Sequence, residues 1–287
     1  MEKILIILAG SPRGGTTTWQ SMIDNLKTPL KADLAICTTD EYKKDNILFS
    51  SAEYIWLSKE YENWFDYYKL NFEINWKNYF EKGKDTGLYN SGVIHFAFKD
   101  IILKKYLDII KQYEFIIYSR FDQFYLSHPL KFHKDKIMIP EGEDYFGICD
   151  RHAIFPSKFA EKFLSICEFV DSEDTKLYDD EFINCEVTFA NHLKNIGLYE
   201  NILRYKRSQF TTAIDSDKTN WRIPIYKIYF SNNLMLKYPD EFLDSVRNLI
   251  KFESELIFKN FLLILNYFFM KMKINLGDLK KKIFKTK

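Results

Sequence analysis

Five short constellations carry the residue types that chemistry uses. The first, Gly10-Ser11-Pro12-Arg13-Gly14-Gly15-Thr16-Thr17, stands where an apolar run gives way to a helical pattern. Glycines let a backbone approach a ligand, a helix start offers free amides and a positive dipole end, and Arg13 adds a fixed charge. The guest such a turn accepts is a phosphate or diphosphate. The competing reading is a tight β-to-α turn capped by Thr16 or Thr17. Neither a Walker ending nor GxGxxG is present. The second, Arg120-Phe121-Asp122, follows a run of strand formers. There the carboxylate would hold a divalent cation, and the Arg would pair with a phosphate or with the Asp itself.

The third runs from Asp144 to His152 and ends in Asp150-Arg151-His152, where Asp150 and His152 would bind hydroxyls or move a proton; a satisfied loop histidine is the plainer alternative. The fourth gathers Asp179-Asp180-Glu181 and Asn184-Cys185-Glu186. In it Glu186, with Asn184 and His192, would reach a cleft and orient a hydroxyl, or else form a solvated face. The fifth, Asp215-Ser216-Asp217, is the literal DxD of the chain, yet it follows no clear central strand, which favours side-chain capping of a loop over a metal site. No GxSxG elbow or HExxH pair appears, and Cys37, Cys149, Cys167 and Cys185 form no CxxC. They are expected to be buried, reduced thiols.

These residues need elements to hold them. Lys3 to Ala9 reads as a buried strand, Thr16 to Leu26 as a helix and Leu34 to Cys37 as a second strand, which is the opening of an α/β fold with a mostly parallel sheet. Ala52 to Gly83, rich in Trp, Tyr and Phe, is predicted to form one or two amphipathic helices whose aromatics are core and not a base-stacking platform. A helix is predicted over Asn90 to Gln112 and a central strand over Phe115 to Tyr118, which delivers Arg120 and Asp122 to the carboxyl end where open α/β sheets place their ligand sites. Strands are expected at Lys136 to Ile139 and Asp144 to Cys149, and helices at Ser157 to Val170 and Phe182 to Asn195. Gln209 to Trp221 should be turn-like, and the last fifty residues helical.

The composition sets limits. Over 287 residues, 46% hydrophobic with 26 Phe and 19 Tyr, there is ample apolar surface for a core, and 41 Lys+Arg against 40 Asp+Glu argues against a duplex-DNA binder. The balance is uneven, because Lys271 to Lys287 carries a net +6 and the rest of the chain −5. Ile4 to Ala9 is too short for a signal segment, so a cytoplasmic location is expected. From Lys251 onward, Phe252, Leu256, Phe261, Leu265, Phe268 and Met272 recur near helical spacing beside lysines. This is a basic amphipathic helix that would lie peripherally on an anionic membrane or pack on the protein's own core.

Taken together, Gly10 to Trp19 after the first strand, Ala32 to Cys37, Tyr118 to Asp122 and Tyr145 to Phe155 resemble GT-A-like glycosyltransferases. The likeness is to bacterial and viral ones of polysaccharide or lipopolysaccharide type with an Arg-x-Asp in place of DxD, and it runs from about Lys3 to Thr219. It implies a GT-A-like (Rossmann-like) catalytic domain over residues 1–250 with a helical tail over 251–287. It also implies a nucleotide-diphosphate sugar donor, a Mn or Mg ion, and a glycan or lipid-linked glycan acceptor. Carried over by residue, Gly10, Ser11, Arg13, Gly14 and Gly15 would lie by the nucleotide, with Arg120 and Arg151 on the donor. Asp122 would face the metal, and Asp150, Arg151 and His152 would shape the donor-sugar and acceptor pocket; with Glu186 from the fourth constellation, Asp150 and His152 are the candidate catalytic residues. Only one Asp stands at the DxD position, and no single carboxylate is marked as a base. Pro12 to Thr17 with Arg120 and Ser127 also looks like the phosphosulfate-binding motifs of sulfotransferases, although the Arg-to-Ser spacing is one residue short. A non-catalytic sugar-nucleotide-binding homologue would carry the same loops.

Overall fold

Ile4-Leu5-Ile6-Ile7-Leu8-Ala9 is apolar without alternation, the pattern of a strand covered on both faces, and it forms β1 (Ile4–Ala9), buried throughout. The computed structural model describes residues 2–42, 45–128, 131–178, 182–214, 216–217 and 234–285. After β1 come α1 (Gly15–Met22), β2 (Asp33–Thr39), β3 (Tyr54–Ser58), α2 (Phe65–Asn71), α3 (Trp76–Lys82), α4 (Ser91–Ile110) and β4 (Phe115–Ser119). Then follow β5 (Gln123–Tyr125), β6 (Ile137–Pro140), β7 (His152–Pro156), α5 (Ala160–Leu164), α6 (Ile166–Asp171), α7 (Cys185–Asn195) and β8 (Ile202–Tyr205). The chain ends with β9 (Gln209–Ala213), β10 (Met235–Leu236), α8 (Pro239–Phe252) and α9 (Phe261–Lys285). Two units result: Met1–Pro12, Leu26–Phe121 and Pro129–Tyr205 make the first, and Arg13–Asn25, Asp122–His128 and Lys206–Lys287 the second.

The first unit is α/β, with a seven-stranded, mostly parallel sheet flanked by helices and ordered β3-β2-β1-β4-β7-β6-β8, compatible with a Rossmann-like fold. β3, β2, β1 and β4 run parallel, β7 is reversed, and β6 and β8 return to the first direction. From β1 the chain builds outward through β2 and β3 and then comes back to β4 on the other side of β1. The strand order therefore reverses between β1 and β4, the position where such sheets open a crevice at the strands' carboxyl ends. One face of the sheet, with Leu5, Ile7, Tyr118, Ala153 and Phe155, shares a core with Phe96, Phe163 and Phe189. The aromatic segment joins it: Trp64, Tyr67, Tyr68, Phe72, Trp76 and Tyr79 are all buried there.

That core contains a charge. Lys99 on α4 is 0% exposed, its Nζ 4.2 Å from the Phe189 ring centroid and 5.2 Å from that of Phe163. It finds no hydrogen-bond acceptor among the described residues. Burial lowers its pKa from 10.5 to about 8, against the pull of the Asp150 carboxylate. A lysine whose folded pKa lies below its unfolded one destabilises the fold at neutral pH, and the penalty fades as pH rises from 8 through 10.5. Lys99→Met is therefore expected to stabilise the protein by about 2 kcal/mol at neutral pH, raising Tm by about 4–8 °C, with the gain shrinking in alkaline melts. A lower Tm for the variant at neutral pH would mean that the ring faces and Asp150 hold the ammonium more strongly than burial expels it.

The second unit holds the three-stranded antiparallel sheet β10-β9-β5. Phe124, Phe210, Leu236, Phe242, Val246 and Leu249 form its core, joined by Leu263, Ile264 and Tyr267 of α9.

Three sequence expectations are corrected. The aromatic segment begins with a strand, β3, half-exposed at the sheet edge, whose alternation is masked by neighbouring charges. Asp144 to Cys149 is an irregular loop, because Asp144 turns its carboxylate onto the Cys149 amide, a local bond that competes with strand pairing; the strand is β7, just beyond. Gln209 to Ala213 is the buried strand β9, polar in sequence but satisfied by cross-strand bonds such as Gln123 Nε2 to Thr211 Oγ1 at 2.7 Å. Residues 218–221 of that stretch lie outside the described ones.

Candidate functional site

In the first unit, β1 and β4 pair up to Leu8↔Ser119, so Ala9-Gly10-Ser11 and Arg120 leave the sheet side by side at the point of reversal. The Gly10 amide continues the parallel ladder to β2, donating to the Cys37 carbonyl at 3.0 Å. Because β7 runs against β4 with Ser119↔His152, the residues entering β7, Asp150 and Arg151, come to that same end. Arg120 is half-exposed, whereas Asp150 and Arg151 are 5% and 4% exposed.

The loop of residues 141–151 is folded onto the start of α7. Asn184 caps α7 by accepting from the Val187 amide at 2.7 Å, and its Nδ2 donates to the Tyr145 carbonyl. The Ile148 amide donates to the Glu186 carbonyl at 3.1 Å. Gly147 is required by this approach, since a Cβ there would lie 2.1 Å from the Glu186 carbonyl carbon and oxygen. Arg204 clamps the loop from below, bonding both oxygens of Asp144 at 2.9 and 3.1 Å. Glu143, Tyr145 and Phe146 have φ of 56°, 42° and 72°, a left-handed run that costs energy and is held by these bonds. Half-exposed Glu186 is thereby set in the field of Asp150, Arg151 and Arg120.

The two carboxylates are driven apart. Burial pushes Asp150 up, but the positive charges of Lys99, Arg151 and Arg120 hold it below the usual carboxylate range, so it stays ionised. Glu186 is pushed up to about 8, first by burial and then by the Asp150 charge, with Arg151 and Arg120 offsetting part of the effect. His95 is neutral, lowered to about 3 chiefly by burial, and its Nε2 donates to the Asp150 carbonyl at 3.1 Å. One ionised and one protonated carboxyl next to two guanidinium groups is the pattern of a site that neutralises an anion and moves a proton.

His152 does not join this cluster. Strand alternation puts it with Ser119 on the sheet face opposite Tyr118, and its ring meets Tyr205 edge-on with centroids 6.4 Å apart. His192 is likewise removed: it is fully buried, bonds the Lys162 carbonyl at 3.0 Å and has its pKa lowered to about 3 by burial. Sequence reasoning overlooked His95 and Lys99. The available signal was the pair Lys99-Asp100 interrupting the apolar run Phe96 to Leu103.

Arg13, Gly14, Gly15 and Asp122 belong to the second unit. There α1 starts at Gly15 with Gly14 as its cap, so neither Thr16 nor Thr17 caps it. Gly14 and Gly15 have φ of 90° and 70°, and a Cβ on them would press on Asp122 Cα at 3.2 Å and Ile214 Cδ1 at 2.8 Å, which explains both glycines without a ligand. The Gly14 amide is taken by the Asp217 carboxylate at 3.0 Å, which also accepts from the Ile214 amide at 3.0 Å, in line with the loop reading of this stretch. Asp122 is buried, its carbonyl accepting from Thr212 at 2.8 Å. Its charge raises the pKa of Asp217, after burial itself. Asp217 is spent on amides, and no group of three or more His, Cys, Asp or Glu gathers as a cation site among the described residues. Asp179, Asp180, Glu181 and Asp215 lie outside the described residues.

No family model matches the chain, and no curated protein matches it in sequence.

Proposed function

We propose that the first unit is the catalytic body of a glycosyltransferase that moves a sugar from a nucleotide-diphosphate sugar to a hydroxyl of a glycan or lipid-linked glycan. The observation that carries the reading is the convergence of Arg120, Arg151, ionised Asp150 and protonated Glu186 at the reversal point of the sheet. Half-exposed Arg120 meets the diphosphate beside the Gly10-Ser11 turn, and buried Arg151 adds positive charge behind it. The acceptor oxygen bonds to the anomeric carbon, the bond from that carbon to the phosphate oxygen breaks, and the nucleoside diphosphate leaves. Glu186, once ionised, takes the acceptor's proton. Asp150 keeps the buried cations compensated and holds the Glu186 pKa near the working range. The GT-A-like assignment of the sheet belongs to this same reading.

The sulfonyl-transfer alternative needs Ser127, whose hydroxyl donates to Glu253 at 2.7 Å. A calorimetric titration separates the readings. Nucleoside diphosphates and their sugar conjugates are expected to bind, and Arg120→Ala to weaken them about 10- to 100-fold, the worth of one charge-assisted bond. Binding of 3′-phosphoadenosine phosphosulfate alone would favour sulfonyl transfer. No binding of any of these donors would end the donor-site reading, and binding without turnover would leave a non-catalytic homologue.

A further inference from the structure

Among the described residues no helix is long and apolar enough to cross a membrane, yet α9 shows two apolar faces. Leu263, Ile264 and Tyr267 pack into the second unit's core. On the other side Phe261, Leu262, Phe268, Phe269 and Met272 are exposed, each by 47% or more, and Phe258 just before the helix is 93% exposed. At 100° per residue these positions form one continuous stripe opposite the buried one. Exposed Lys273 borders it, Lys271 lies with its ammonium 5.1 Å from the Tyr267 ring centroid, and the sequence continues with Lys280, Lys281, Lys282, Lys285 and Lys287. At the start of the helix a cleft of about 650 Å³ adds the Thr16 and Thr17 hydroxyls beside the stripe, together with Lys259, bonded to Asn25 at 2.7 Å, and Gln20, bonded to the Asp24 carboxylate at 2.7 Å.

We infer that this outer face of α9 docks on an anionic phospholipid surface, the aromatic stripe entering the headgroup boundary and the lysines meeting lipid phosphates. A helix already fixed to the fold by one face does not need to fold on binding, so its second apolar face is free to work as an interfacial anchor. The net +6 of Lys271 to Lys287 selects a negatively charged partner. The inference stands apart from the donor chemistry.

Co-sedimentation of the full chain with vesicles tests it. Binding to phosphatidylcholine vesicles containing phosphatidylglycerol is expected, weakening about tenfold or more on pure phosphatidylcholine and falling as salt is raised. The double variant Leu262→Asp/Met272→Asp is expected to lose about tenfold or more of the binding while keeping the wild-type circular dichroism and Tm, since these side chains are 51% and 52% exposed. Lack of wild-type binding, equal binding to neutral vesicles, or full binding by the folded variant each overturns the proposal. So does a wild-type dimer that the variant converts to monomer with no vesicle binding, which would assign the face to a second copy of the chain.

Discussion

With Gln in place of Glu186, the glycosyl transfer proposed for the first unit is expected to fall about 10²- to 10⁴-fold, the range for loss of a positioned proton acceptor, while donor affinity changes by less than about threefold. The pH profile is the sharper readout. The Glu186 carboxyl is raised from 4.5 to about 8, so below that value it carries its own proton and cannot take another. The wild-type kcat/KM should rise with pH and level off above about 8, and the Glu186→Gln profile should be flat through that region. A rising limb that survives the substitution, or an unchanged rate, would remove Glu186 from proton transfer. A change confined to KM would assign it to acceptor binding.

Asp150→Asn is expected to be the most damaging single change to the first unit. The carboxylate faces Lys99, Arg151, Arg120 and His95, and two of these, Lys99 and Arg151, are buried to 0% and 4% exposure. Removing the compensating charge leaves the buried Lys99 ammonium without its counter-charge and weakens the compensation of Arg151, which keeps Glu143 at 3.9 Å, at a cost of about 3 kcal/mol and a Tm lower by about 6–12 °C. Asp150 is held below its ordinary 3.8, so its contribution is present at neutral pH and is lost on acidification. The gap between the wild-type and Asp150→Asn melting temperatures should therefore close below about pH 4. A kinetic consequence follows from the same charge. Asp150 is the second cause of the raised Glu186 pKa, so the rising limb of the folded variant should move to lower pH. A Tm within about 2 °C of wild type would show that the cations find compensation elsewhere.

The helix α4 and the strands β1, β2, β4 and β6 were legible because each repeats one local pattern: a continuous apolar run for a strand buried on both faces, or recurrence near every third or fourth residue for a helix. β9 was not legible. Its Gln and Thr residues read as polar, and only their cross-strand partners make them tolerable inside. The 141–151 loop failed for the converse reason. Tyr145-Phe146 and Ile148-Cys149 have strand-forming side chains, but Asp144, Gly147 and the cap of α7 bind the backbone into a left-handed course.

By itself the sequence determined the α/β class, the burial of its aromatic segment, and a near-zero charge divided between a mildly acidic body and a basic end. It also marked Arg120, Asp150, Arg151 and Glu186 as residues able to do chemistry. The tertiary structure decided which of them meet. The antiparallel register Ser119↔His152 brings Asp150 and Arg151 to the end of β4, and the packing of Gly147 on α7 brings in Glu186. The same alternation turns His152 to the other face. Periodicity is a property of neighbours in the chain, whereas proton affinity depends on which charges and how much water lie within a few ångströms. Strand register and loop packing fix both, and neither is written in the spacing of the residues.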